Sequence, residues 1–360
     1  MKEPIILHLI PCLSLTGGTV AKVYTLVSNS RYKHIIYYNR GITNKNYIEQ
    51  WRQNKNSLLI EGYNKKNYIK NIYKIHKIIS QHNVNIVHVY FPPETMIASI
   101  LKMIIPNIKV IRSFEGNVKQ GLIKKNIIFH SLQNFDYAIF ISKYVKNYYC
   151  DKIPEKLLEK SIIIYNSASK IKTINKTIQH FAKNKKLVSV SGLNPSKNLF
   201  VIIEALYILK KKGYDLQLDI LGDGSLREAL QNKINSYDLQ SNIHLRGFSN
   251  DVIQYLDNSS VFLHPADNEG FGIAVIEAMQ RYCAVIVSNK GGLPEIITDN
   301  VDGLIADAYN AKEWACCIIR LLNNQDLIDK LGKAAYVTAS NKFSINKYVT
   351  SHDNLYQKLV

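Results

Sequence analysis

Between Val261 and Glu295 the chain reads VFLHPADNEGFGIAVIEAMQRYCAVIVSNKGGLPE, and two carboxylates, Glu269 and Glu277, stand eight residues apart within it. An apolar strand ends near Pro265 and a polar loop follows. Gly270 and Gly272 bracket Phe271, and a helix is predicted from Ile273. That order aims backbone N–H groups and the positive end of a helix at the loop, which makes an anion site. Glu269, just before the helix, is left free to hydrogen-bond a ligand hydroxyl. Glu277, on the second turn, faces a ligand lying along the helix. Two glutamates at this spacing also arise on any solvated helix face, so the pair gains meaning only from its surroundings. Lys197, in Asn194-Pro195-Ser196-Lys197, reads by itself as an ordinary surface lysine. No Asp-x-Asp motif or His/Asp cluster suggests a metal site.

These residues need a scaffold, and the pattern of apolar runs supplies one. Short β-branched segments recur at Ile5 to Ile10, Ile35 to Tyr38, Ile86 to Tyr90, Val110 to Phe114, Tyr137 to Ile141 and Ile162 to Tyr165. Amphipathic stretches such as Tyr68 to Ser80 separate most of them. Continuous apolar strands alternating with helices imply a parallel sheet covered on both faces. The pattern restarts with Leu187 to Val190 and continues through Leu216 to Leu221, Ile243 to Leu245, Val261 to His264 and Ala284 to Val287. Leu199 to Lys212 reads as a strong helix, with Gly213 where a C-terminal cap belongs. The expected fold class is α/β, with two Rossmann-like, doubly wound parallel-sheet domains facing a cleft. The expected domains are residues 1–168, an irregular polar linker over 169–186, residues 187–342, and a C-terminal helix over 343–360.

At 360 residues two domains is the natural division. No run approaches the 18 uncharged apolar residues of a membrane helix, and Ile5 to Ile10 reads as a buried first strand rather than a signal-peptide core. Five scattered cysteines without a C-x-x-C pair suggest neither disulfides nor zinc, and fit a reducing cytoplasm. Residues 1–170 hold 25 Lys/Arg and 9 Asp/Glu, a net +16, against 21 and 19, a net +2, in the remainder. Such a basic half is drawn to anionic surfaces, either lipid headgroups or nucleic acid, or is simply a solvated lysine-rich surface. No nucleic-acid recognition motif accompanies the lysines, and no nucleic acid is expected as partner.

The segment from Glu269 to Glu277, E-G-F-G then four residues then E-A, resembles the donor-site signature of the retaining GT-B glycosyltransferases of group 1, or family 4. The likeness extends through Gly291 to Glu295, Leu221 to Arg227, and Leu245 to Phe248. The resemblance implies transfer of a hexose from a UDP- or GDP-sugar to a surface-glycan acceptor, a lipid-linked oligosaccharide or lipopolysaccharide, by a cytoplasmic protein that contacts the inner membrane face peripherally. It implies that Glu277 accepts from the ribose hydroxyls, Glu269 contacts the transferred sugar, and the amides of Gly270, Phe271 and Gly272 hold the diphosphate with Lys197. Gly247 and Phe248 would border the base, Gly222 and Gly224 would keep a strand-to-helix turn tight, and Gly17-Gly18 would close on the phosphates. Neither a cofactor nor a metal is implied.

Two positions depart from the family. Gly192, in Ser191-Gly192-Leu193, replaces an arginine that grips the diphosphate, with Arg246 or Arg112 as substitutes. Glu115 stands where the family has a histidine near the acceptor, and is carried as a catalytic candidate in its place. The alternative these departures raise is a catalytically weakened accessory or binding subunit of the same fold.

Overall fold

The computed structural model describes residues 3–13, 18–40, 45–64, 66–117, 122–168, 186–249 and 251–360. The chain divides into two compact units, Met1–Ser169 with Ile345–Val360, and Lys170–Ser344. Apart from Lys186, the residues expected as a linker lie outside the described ones.

In the first unit the chain runs β1 (Ile5–Ile10), α1 (Gly18–Asn29), β2 (Lys33–Arg40), α2 (Lys45–Arg52), β3 (Ser57–Asn64), α3 (Tyr68–Gln81), β4 (Ile86–Val89), α4 (Pro92–Ile104), β5 (Lys109–Phe114), α5 (Leu122–Ser131), β6 (Tyr137–Phe140), α6 (Lys143–Tyr149), α7 (Glu155–Glu159) and β7 (Ser161–Ile163). All neighbouring strands are parallel, in the order β3-β2-β1-β4-β5-β6-β7. The second unit runs β8 (Lys186–Val190), α8 (Phe200–Lys211), β9 (Gln217–Leu221), α9 (Arg227–Ser236), β10 (Ile243–Gly247), α10 (Val252–Asp257), β11 (Val261–His264), α11 (Ile273–Met279), β12 (Ala284–Ser288), β13 (Leu304–Ala306), α12 (Ala311–Leu322) and α13 (Gln325–Lys342). Its order is β10-β9-β8-β11-β12-β13, again all parallel. The last helix, α14 (Ile345–Leu359), belongs to the first unit.

Sequence explains this arrangement. β4, β11 and β12 read IVHV, VFLH and AVIVS, and every residue in them is buried, as parallel strands covered on both faces require. α8 buries Val201, Ile202, Ala205, Leu206 and Leu209 at helical spacing and stops at Gly213, whose N–H donates to the Lys210 carbonyl at 3.0 Å. α14 carries Tyr348, Val349, Leu355 and Tyr356 into the same cluster as Ile6, Ile86, Ile111 and Ile139 of the first sheet. In both units strand order reverses at the centre, between β1 and β4 and between β8 and β11, and the loops at the carboxyl ends of such strand pairs are where doubly wound sheets hold ligands.

Two strands were not expected from the sequence. β3, SLLIEGYN, is an edge strand in which only Gly62 is buried, so the continuous apolar run is missing. β13 has three residues, too few to display a period.

Candidate functional site

The loops after β8 and β11 flank the reversal point of the second sheet, and they carry Lys197 and Glu269. Ser191 to Leu193 continue from β8 against the turn after β9, where the Leu193 N–H donates to the Asp223 carbonyl at 3.0 Å. Only glycine fits at 222: φ is +126°, and a Cβ there would sit 2.0 Å from the Ser191 carbonyl oxygen. Its N–H donates to the Gly247 carbonyl at 2.8 Å, which brings the end of β10 to the same edge. Gly224 also packs against Leu193, so both glycines keep the turn tight.

From this base the chain makes one short turn, Pro195–Lys197, and turns Lys197 toward the loop after β11. The Lys197 ammonium donates to Glu269 Oε2 at 2.5 Å, and His264 Nε2, at the end of β11, bonds the same oxygen at 3.0 Å. The two loops are tied directly by the Asp267 N–H, which donates to the Ser196 carbonyl at 3.1 Å. Burial opposes ionisation of Glu269, yet the His264 hydrogen bond and the Lys197 charge together hold its carboxyl well below the usual carboxylate range. Glu269 is therefore an anion engaged at one oxygen, not the free side chain expected from sequence. The Gly291-Gly292 pair fixes its backbone. Gly292 N–H donates to the Glu269 carbonyl at 2.8 Å. At Gly291, φ is +67° and a Cβ would come 2.4 Å from that same carbonyl oxygen.

Glu277 behaves oppositely. Half-buried on α11, it makes no hydrogen bond with any described residue, and desolvation pushes its carboxyl up to about 7. A carboxyl kept from water without a partner is poised to accept from ligand hydroxyls. Phe271 is buried and stacks edge-on against Phe343 at 5.6 Å, so its side chain belongs to the core. Gly270 precedes it in the same loop, and Gly272 occupies the N-cap of α11. Phe248 is 66% exposed beside Gly247 at the rim.

Sequence reasoning missed His264, because a histidine at the end of an apolar strand looks like any core residue. Arg246, one of the two substitutes for the missing arginine, is ion-paired with Asp219 at 2.5 Å. At Gly192 a Cβ would meet Asn194 Nδ2 at 3.2 Å, a tight contact that requires this side chain to give slightly, and the Asp223 carbonyl at 3.8 Å.

The remaining candidates lie in the first unit. Glu115, just past β5, is ion-paired with Lys22 of α1, which also donates to Asn166 at 3.0 Å. Gly18 opens α1, and Gly17 lies outside the described residues. His88 is a satisfied core residue, bonded to Tyr356 at 2.8 Å and Ser113 at 2.7 Å.

Residues 170–338, which contain every element of the donor-type site just described, match the family Glycosyl transferases group 1. The matched stretch lies within the second unit. An uncharacterised glycosyltransferase of Methanocaldococcus jannaschii is 29% identical over 299 residues, 81% of each chain. A Campylobacter jejuni enzyme, N-acetylgalactosamine-N,N'-diacetylbacillosaminyl-diphospho-undecaprenol 4-alpha-N-acetylgalactosaminyltransferase, is 31% identical over 178 residues, covering 49% of this chain and 47% of that one. The fold is that of a Rickettsia africae glycosyltransferase (24% identity, TM-score 0.81, covering 100% of this chain and 99% of that one) and of Anabaena HepE, solved with UDP and glucose (15% identity, TM-score 0.84, covering 99% and 100%). The chain is accordingly a glycosyltransferase with two Rossmann-like domains.

Proposed function

We propose that this glycosyltransferase moves a hexose from a UDP- or GDP-sugar to a surface-glycan acceptor with retention of anomeric configuration, as in family 4, and without a metal. The observation that carries this reading is the Lys197–Glu269 pair at the reversal point of the second sheet, with the unpartnered Glu277 carboxyl on the adjacent helix. HepE, with the same fold, holds UDP. On donor binding the diphosphate takes Lys197 from Glu269, and the released Glu269 hydrogen-bonds the transferred sugar while Glu277 accepts from the ribose hydroxyls. As the bond from C1 to the phosphate oxygen breaks, negative charge grows on the leaving diphosphate. Lys197 and the amides from Gly270 to Gly272 are fixed to meet it, which is electrostatic catalysis. The acceptor oxygen bonds C1 on the face the phosphate leaves, and its proton passes to the departing phosphate oxygen. Release of nucleotide from a panel of UDP- and GDP-sugars tests the reading, and a Glu277→Ala protein as active as wild type would sink it.

The acceptor is proposed to be membrane-linked, as the diphospho-undecaprenol in the name of the Campylobacter relative suggests. Support comes from α3 and α4 of the first unit. Pro93, Met96, Ile100, Met103 and Ile104 run exposed along α4, while Ile69 and Tyr73 of α3 are 85% and 72% exposed. Residues 66–109 contain six lysines, and their one acid, Glu94, is buried. Apolar and aromatic side chains set among lysines suit an anionic bilayer at the inner face of the cell membrane. Equal binding to anionic and neutral vesicles would remove this part of the proposal. No described helix is long and apolar enough to cross a membrane.

A further inference from the structure

Among the described residues of the first unit is a buried cation that makes no ion pair. Arg112, on β5, is 5% exposed, and neither its Nε nor its Nη1 has a hydrogen-bond partner. Glu115, three residues on, is engaged by Lys22. Glu94, on the first turn of α4, is 2% exposed with Oε2 unpartnered, and desolvation pushes its carboxyl up to about 7, so it is only partly charged at neutral pH. Asn39, near the end of β2, reaches Glu94 only at 3.5 Å and keeps its own Oδ1 unpartnered. A buried guanidinium with unmade hydrogen bonds is costly to the fold, and such a cost persists where a ligand removes it. The position fits. Arg112 lies on the strand next to β4, and Glu94 follows β4 directly, so both are beside the reversal point of the first sheet, where doubly wound units take ligands.

We propose that Arg112, Glu94 and Asn39 form a binding site for an oxyanion that carries hydroxyl groups, the anion lying on Arg112 and the hydroxyls donating to Glu94 and Asn39. The ligand class is a glycosyl phosphate or a uronate. Resting on the transferase reading above, the site gives the enzyme an anionic acceptor and makes Arg112 the residue that selects it.

The test uses the full chain with the donor site saturated by UDP, so that a sugar phosphate cannot act through Lys197. Thermal unfolding is followed with glucose, glucose 1-phosphate and glucuronate, for wild type, Arg112→Met and Arg112→Lys. One of the two anions should bind at least about tenfold more tightly than glucose, and whichever wins names the oxyanion. That preference should vanish in Arg112→Met and survive in part in Arg112→Lys. Without ligand, Arg112→Met should unfold at the same or a higher temperature, because removing an uncompensated buried charge relieves the fold. Equal binding of all three sugars by wild type, a preference that Arg112→Met keeps, or a marked loss of stability in the ligand-free variant would each overturn the proposal. Failure of UDP itself to bind would instead refute the donor-site reading.

Discussion

Four histidines, His8, His34, His88 and His352, are buried together between the first sheet and α14. His8 bonds Tyr90 at 2.8 Å and His34 at 2.9 Å, while His88 bonds Tyr356 and Ser113. Desolvation lowers all four, His34 to about 3 and His352 to about 4, and His8 and His88 well below the ordinary value, with the neighbouring histidines, Arg112 and Lys22 adding to the effect. Above pH 6.5 both folded and unfolded chains keep these rings neutral. Below it the unfolded chain takes up protons that the folded one refuses, so stability present at pH 7 is lost as pH falls. At pH 5 each such ring costs about 2 kcal/mol, hence about 4 kcal/mol for His34 and His352 alone. Glu94 and Glu277, both raised to about 7, work in the opposite direction and return about 2 kcal/mol each over the same interval, which offsets His34 and His352. His8 and His88, also lowered well below the ordinary value, act with the first pair, so a net loss remains. Thermal unfolding by circular dichroism should therefore show a lower Tm at pH 5 than at pH 7. A His34→Asn/His352→Gln protein should lose most of that difference. An unchanged Tm across the interval, or one that rises on acidification, would refute the claim that these rings are held neutral.

Other outcomes follow from the donor site. Glu277→Gln should raise stability at pH 8 by up to about 3 kcal/mol, because the folded state resists ionising this carboxyl; the gain should fade as pH drops from 7 toward 4.5, and calorimetry reads it. Gly291→Ala should leave the fold intact but cut turnover at least about tenfold, since its methyl group must push the Glu269 backbone aside; unaltered nucleotide release would contradict this. Gly192→Arg, with the Asn194 side chain giving by a few tenths of an ångström, should lower the KM for the sugar donor, as the site lacks a phosphate-binding arginine; an unchanged KM would contradict this. Turnover should be indifferent to a chelator, and loss of activity restored by a divalent ion would reverse the expectation of metal-free transfer.

The donor-type site was legible because its chemistry lies in one contiguous stretch: the strand, loop and helix from Val261 to Met279 carry both glutamates, and the glycines are demanded by close backbone approaches that hardly vary with the rest of the sequence. Lys197 is remote in sequence, but β8 and β11 are neighbours in the sheet, so the alternation of strands and helices already brings its loop to Glu269. What escaped notice depends on burial. His264, Arg112 and the four histidines under α14 acquire their properties from being enclosed, and a sequence displays neither enclosure nor an absent partner. The ion pair of Glu115 was hidden for the same reason, because its partner Lys22 belongs to another element. Edge strand β3 escaped because its exposed residues interrupt the apolar run that marks the central strands.

The most direct measurement is a structure of the full chain with a UDP-sugar bound. Lys197 Nζ should lie about 3 Å from a diphosphate oxygen and no longer on Glu269, with Glu277 on the ribose hydroxyls. A nucleotide bound elsewhere, or a donor seated while Lys197 and Glu269 remain paired, would contradict the account.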